Sequence, residues 1–440
     1  MGQHTVLQIE LIVMGKMCKL SSLYNSKMKF NQVIAYLFTI TMVTTWGCTE
    51  EPNDDQSNLS IKYADDYDHI DLTKSSDSIL PISSIIEVIN IVDLDGLTDA
   101  VGNVSRVIHA KDQHIFILGD YKNAQVSILS EEGKHVKSIN AIGKGPGEWL
   151  SIQSIDYDRI SNSIVILSND GSRMNFYSTE GVWKYDKNLP FFAHDMSSVT
   201  KESSYVFYMG YSRNEYTQNY NCLLTDNGLN LIERYLPYVD TYDGPTGQKY
   251  HLQNGFTVPV NDEVLMNEPF VDTVFSLDLK SKEVSIKYTF FFGDRSVPDE
   301  FKGNLDYIMS GKVLENAFLM NALYHNDEVF IFSIFWDRRI RNWIWDRNSK
   351  RLLTEQSLDE PLLSELFLHP VGKTSDDECI AAIYPHQVIP SLNEDGSRWH
   401  EVAMVASKYI EANFPLLHEK ILGLEENSNP LLVTYRLNIR

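Results

Sequence analysis

Within Ala141–Leu150, AIGKGPGEWL, three glycines and a proline fall in five residues beside a lysine, ahead of a glutamate and a tryptophan. Glycine-rich loops of this kind can cradle phosphate with backbone N–H groups. The spacing argues against it. A P-loop runs G-x-x-x-x-G-K-[ST], whereas Lys144 is followed by Gly145 and Pro146. A dinucleotide loop opens a helix, whereas SIQSIDYDRISNSIVIL follows here and reads as two strands. Pro146 also removes one amide that an anion nest would use. The stretch Gly143, Gly145, Pro146, Gly147, Glu148, Trp149 is expected to be a structural turn.

Binding chemistry is denser in Phe335–Asn348, FWDRRIRNWIWDRN. Indole faces suit the C–H groups of sugar rings, and guanidinium forks suit carboxylates. Trp336, Arg338, Arg341, Trp343 and Trp345 are therefore the candidate ligand-binding residues. Two amphipathic strands with core tryptophans and solvated arginines would give the same pattern. The aromatic loop YVDTYDGPTGQKYH is equally ambiguous.

Catalytic signatures are sparse. The sequence holds no HExxH, no G-x-S-x-G and no EF-hand loop. Its twelve histidines form no ligand pairs at i, i+2 or i, i+4. His194, Asp195 and His386 are the candidates for lining a channel, where Ca²⁺ would be the fitting cation. No catalytic residue is assigned, no metal ligand set is expected, and no cofactor is expected beyond that Ca²⁺.

Charge narrows the partners. In 440 residues, 38 basic and 60 acidic side chains leave a net charge of -22. Nucleic acid, which is held by Lys and Arg on phosphates, is excluded on that balance. Hydrophobic content of 43% is enough for a core. Cys222 and Cys379 either pair in an oxidising compartment or stay as buried thiols.

These residues need a scaffold, and the sequence points to strands. Beyond residue 85, runs such as HIFILGD, SIVILSNDG, YVFYMG and EVFIFSIF alternate with turn residues. Glu132-Gly133, Asp170-Gly171, Glu180-Gly181 and Asn227-Gly228 supply glycines for tight turns. QVSILSEEGKHVKSI, RMNFYSTEGVWKYD and TVFSLDLKSKEVSIKY share one grammar of strand, polar turn and strand, spaced by roughly 45 to 55 residues, as in four-stranded blades. NLDYIMSGKVLENAF and EVAMVASKYIEANF are the expected helices. An open ring must hide its end strands, so Ile85–Val92 and Leu431–Leu437 are expected in one terminal blade.

The run around Gly143–Trp149 resembles that of bacterial lipoproteins in the six-bladed β-propeller family, with their G-x-G-P-G-E-aromatic motif. PFVDTVFSLD and NSNPLLVTYRL are similar to two further strands of that family. The resemblance implies an all-β, six-bladed β-propeller over residues 85–440, with four-stranded antiparallel blades and terminal strands closing the ring.

The N-terminus reads as an address. Lys27 and Lys29 precede the apolar run VIAYLFTITMV, which is followed by TTWGC. A basic segment and a short apolar run form a secretory signal. Thr45-Trp46-Gly47-Cys48 resembles a lipobox, with Cys48 lipidated. Residues 1–47 are thus expected to be an upstream extension plus signal, with translation starting at Met28. Residues 48–84, opening with TEEPNDDQSN, are expected to be a flexible acidic tether. The expected protein is a lipid-anchored envelope module of a Gram-negative bacterium, held at the outer membrane and exposed on its surface. It contacts the membrane only through the lipid, and binds a glycan or partner protein of unread identity. A propeller hydrolase or lyase with channel-lining acids is the alternative.

Overall fold

The computed structural model describes residues 61–74, 79–94, 97, 101–169, 171–199, 204–210, 215–237, 256–260, 263–268, 271–301, 307, 310–388, 408–425 and 427–439. The signal-like run, Cys48 and the aromatic loop at 238–251 lie outside the described residues.

Strands dominate. β1 (Lys62–Asp71) and β2 (Ile86–Asp93) come first, with a helical turn at Ile82–Ile85 between them. β3 (Arg106–Ala110), β4 (Ile115–Asp120), β5 (Gln125–Ser130) and β6 (His135–Ile139) form an antiparallel meander. A second comprises β7 (Ile152–Asp158), β8 (Ser163–Ser168), β9 (Arg173–Tyr177) and β10 (Trp183–Asn188). The third is β11 (Asp195–Val199), β12 (Ser204–Tyr208), β13 (Tyr220–Asp226) and β14 (Leu231–Pro237). The fourth is β15 (Phe256–Val260), β16 (Glu263–Asn267), β17 (Thr273–Asp278) and β18 (Val284–Phe291). The fifth is β19 (Phe318–His325), β20 (Val329–Trp336), β21 (Arg339–Asp346) and β22 (Arg351–Thr354). β23 (Gly372–Lys373), β24 (Cys379–Ile383) and β25 (Leu431–Leu437) end the chain.

The first strands of successive meanders touch one another: β3 meets β7, β7 meets β11, β11 meets β15 and β15 meets β19. The sheets therefore stand around a common middle, in an all-β, propeller-like arrangement. Their inner faces are closed by apolar clusters, such as Val165, Leu167, Met174, Phe176 and Phe207 between the second and third meanders. Each sheet presents an apolar face that only its neighbour can cover.

Three expectations change. Hydrogen bonding yields four sheets of blade size, not six. Three have four strands and one has five, while the fifth sheet has eight, in the order β2-β25-β24-β23-β3-β4-β5-β6. The cause is local: Gly372 and Lys373 pair in parallel with Val107 and Ile108 and fuse the first meander to the last strands. The expected tether also fails over its second half. Lys62–Asp71 is β1, parallel to β18, because a two-sided ion network and buried Ile70 anchor it. Finally, the described part of NLDYIMSGKVLENAF ends in a 3-10 turn at Lys312–Glu315 and enters β19 at Phe318, where Phe318, Leu319 and Ala322 are needed in the core.

Other readings hold. β2 pairs with β25, so the two ends of the chain share one sheet. The hairpins β5–β6, β9–β10 and β17–β18 form where the repeated grammar put them. In the β13–β14 turn, positive φ falls on Leu229 (66°) and not on Gly228.

Candidate functional site

The Gly143–Trp149 loop joins β6 to β7 and so links two sheets. Trp149 is fully buried and its Nε1 donates to Ala124 O at 2.7 Å. The Gly145 N–H donates to Glu148 Oε2 at 2.7 Å, and the Gly147 N–H donates to Asp186 Oδ2 at 2.9 Å. Arg173 pairs with Asp186 and donates to Gly145 O at 3.3 Å. Burial works to raise the Asp186 pKa, but hydrogen bonds from Gly147, Trp183, Arg173 and Asn175 hold it below the usual carboxylate range. Glu148 of the loop and Asp186 of β10 thus occupy the amides of Gly145 and Gly147.

The Phe335–Asn348 segment is a β-hairpin, β20–β21, turned by Asp337 and Arg338 with φ of 50° and 63°. Positive φ at both central residues is the twist-matched hairpin turn. Strand alternation puts Arg341, Trp343 and Trp345 on one face of β21. That face meets β18. Tyr288 stacks on Phe330 at 4.2 Å between centroids, and Phe290 lies 5.0 Å from Phe332. Trp345 joins this core at 6% exposure; Trp343 is 4% exposed. Both were candidates for open stacking surfaces, and burial against β18 prevents that. Arg338 sits exposed at the hairpin tip, away from the cavity lining.

At the end of this inter-sheet layer lies a crevice of about 410 Å³, within the range of roughly 300–1,000 Å³ typical of ligand sites. Trp336, Arg341 and Trp343 line it from the hairpin. Phe292, Asp294 and Arg295 reach it from the segment after β18, Leu72 and Thr73 from the end of β1, and Thr354 and Gln356 from the end of β22. Three of the five candidate residues therefore meet at one place. The partners from β1, β18 and β22 carried no sequence signal, since nothing in the pattern ties residues 72, 295 and 354 to residue 341.

Among the lining residues two guanidinium groups, Arg295 and Arg341, stand against one carboxylate, Asp294. Arg341 Nη1 is 3.7 Å from Glu355 Oε1, and its Nε is buried without a partner, as is Trp343 Nε1. Arg295 pairs with Asp337 and lies over the Trp336 ring at 5.0 Å. Trp336 and Trp343 are tilted, with centroids 5.8 Å apart. The Thr354 hydroxyl accepts from the Gln356 N–H at 3.1 Å and fixes the wall at that side.

Nearer the middle, Arg106, Ser154 and Asp195 come from β3, β7 and β11. Arg106 Nη1 donates to Ser154 Oγ at 3.1 Å and to Asp195 Oδ1 at 3.3 Å, and Ser154 Oγ donates to Asp195 at 2.5 Å. Burial raises the pKa of Asp156, against the pull of Arg106 and of the N–H groups of Ser198 and Tyr157. Of the channel candidates, Asp195 is thus held in a latch across three sheets. The ring of His194 lies against Gly210, and His386 packs on Tyr384 at 5.6 Å with its pKa lowered by burial. The three do not converge. Among the described residues no group of three or more His, Cys, Asp or Glu is placed to hold a metal ion, and Cys222 and Cys379 are separate buried thiols.

An all-β ring of this kind, with an inter-sheet crevice, defines a propeller-like protein. The chain belongs to the family described as domain of unknown function DUF4934, matched over residues 68–436. Its fold is similar to that of a Bacteroides fragilis NCTC 9343 protein described as exported. The identity is 15%, the match covers 84% of this chain and 99% of that one, and the TM-score is 0.65. Weaker likenesses are to a DUF4221 family member from Bacteroides vulgatus (8% identity, 81% of this chain, 100% of that one, TM-score 0.47) and to the RRP9 WD40 repeats (8% identity, 80% and 100%, TM-score 0.43). No curated protein matches the chain. No helix among the described residues is long and apolar enough to cross a membrane.

Proposed function

We propose that this protein is an exported, lipid-anchored binding module of the cell envelope, whose ligand enters the crevice at Trp336, Arg341 and Trp343. The observation that carries the reading is the crevice itself: a hydrogen-bond-donor surplus beside aromatic walls, assembled from four separate stretches of chain. The likeness to an exported Bacteroides protein supports export. Cys48 is the proposed lipid attachment, and display at the outer membrane follows from the acidic run after it.

We read the ring as six-bladed over residues 85–440. The eight-stranded sheet divides at the parallel two-residue pairing of β23 with β3, into β3–β6 and the set β23, β24, β25 and β2. β1 is then an added fifth strand on the blade of β15–β18. Binding, and not catalysis, is favoured because Asp195 and Asp156 are committed to Arg106, Ser154 and backbone N–H groups.

A thermal-shift titration of the full chain in detergent against envelope oligosaccharides tests the module. A ligand that binds only the native state raises the midpoint. If no glycan shifts it and no envelope protein cross-links to it, the reading falls. Fatty-acid labelling tests the anchor: Cys48→Ala must lose all label.

A further inference from the structure

Resting on that binding reading, we propose that the crevice takes an acidic sugar: a uronic-acid residue of an oligosaccharide, with its carboxylate on Arg341 and its ring along Trp336. Three features select this chemistry.

The first is the donor surplus. Arg341 offers a planar fork of N–H groups; its Nη1 is 3.7 Å from Glu355 Oε1, Asp294 shares the crevice lining, and its buried Nε has no partner. Trp343 adds a buried indole N–H without one. A buried donor left unpaired is unfavourable, and an oxygen-rich anion relieves it. A guanidinium fork matches a carboxylate in two parallel hydrogen bonds. Arg295, half-exposed and paired with exposed Asp337, is a second cation that can shift toward the same anion.

The second feature is the wall. Phe292, Trp336 and Trp343 are tilted against one another, at 41° and 52° for the two pairs, so no parallel slot for a flat aromatic ring exists. Tilted indoles beside Thr73, Thr354 and Gln356 suit a puckered ring with C–H faces and hydroxyl edges.

The third is what the crevice lacks for an acidic peptide. An extended peptide gains its affinity by pairing with a free strand edge. The edge of β18 beside the crevice is already taken by β1. A pit of about 410 Å³ holds a short oligosaccharide and not a strand.

Calorimetry of the full chain in detergent decides it, with digalacturonate, an alginate-derived diuronate and hyaluronan tetrasaccharide as probes. The carboxyl-reduced form of each and hexaglutamate serve as comparisons. At least one uronate should bind, and its carboxyl-reduced form should bind at least tenfold more weakly. Arg341→Gln should weaken binding at least tenfold. Glu355→Gln, which removes the competing carboxylate, should tighten it two- to fivefold with the melting midpoint kept. Equal affinity for the reduced sugar, hexaglutamate binding in place of the uronates, no binding by any uronate, or no response to Glu355→Gln each overturns the assignment. Neutral glycans or a protein partner binding under those same conditions would leave the broader module standing.

Discussion

The carboxylate of Glu148 accepts the N–H of Gly145 at 2.7 Å, three residues back in its own loop, while Asp186 takes the N–H of Gly147 at 2.9 Å. The protein's own acids stand where a phosphate would otherwise bind, so the glycines serve geometry. Gly147 has φ 74°, and a Cβ there would lie 2.7 Å from Trp183 Cδ1. Gly147→Ala is expected to cost about 2 kcal/mol by denaturant unfolding. Adding Trp183→Ala should recover part of that, leaving the backbone strain, whereas millimolar phosphate should stabilise neither variant nor the parent.

The latch of Arg106, Ser154 and Asp195 ties three sheets at their inner strands. Removing one partner leaves a partly buried charge uncompensated. Arg106→Met should therefore destabilise by about 3 kcal/mol, and Ser154→Ala by about 1 kcal/mol. The same unfolding curves check both, and a cost for Arg106→Met no larger than that for Ser154→Ala would contradict the latch.

His325 is 3% exposed, packed edge-on against the stacked rings of Tyr288 and Phe330, and neither ring nitrogen has a partner. Burial, then the nearby Arg347 and Lys287, lower its pKa from 6.5 to about 3. The folded state resists protonation that the unfolded chain accepts. Stability is thus full above pH 6.5 and is lost as pH falls toward 3. At pH 4 the loss from this one group is about 3 kcal/mol. His325→Leu should remove that component, so the stability difference between pH 7 and pH 4 should shrink by that amount.

Asp66 and Asp68 of β1 clamp Arg347, which reaches Asp68 at 3.4 Å, and Asp66 also holds Lys287 at 2.8 Å. Asp68 is 3% exposed. Asp68→Asn should cost about 3 kcal/mol. Deleting residues up to 71 should bare the β18 edge and promote association, read by light scattering.

The architecture was legible because it is carried locally. Alternating apolar runs and glycine turns specify hairpins such as Gln125–Ile139 without reference to anything distant. The closing pair of Ile86–Asp93 with Leu431–Leu437 could be inferred because a ring must bury its edges. β1 reads as tether because half of KYADDYDHID is charged, and its partners, Arg347, Lys287 and Lys350, lie more than 200 residues away. The crevice was half legible. Trp336 and Arg341 stood out by composition, yet which tryptophan stays open and which is sealed depends on the packing of β21 against β18, and no local pattern encodes that.

β1 runs parallel to β18, with Lys62 beside Ser285 and Asp71 beside Phe291. Its ten residues span roughly 30 Å. The crevice begins at its far end, with Leu72 and Thr73. Whatever precedes Lys62 therefore joins the ring on the side away from the crevice. A chain entering at that end meets the ring across from the crevice mouth, so the mouth is left clear of it.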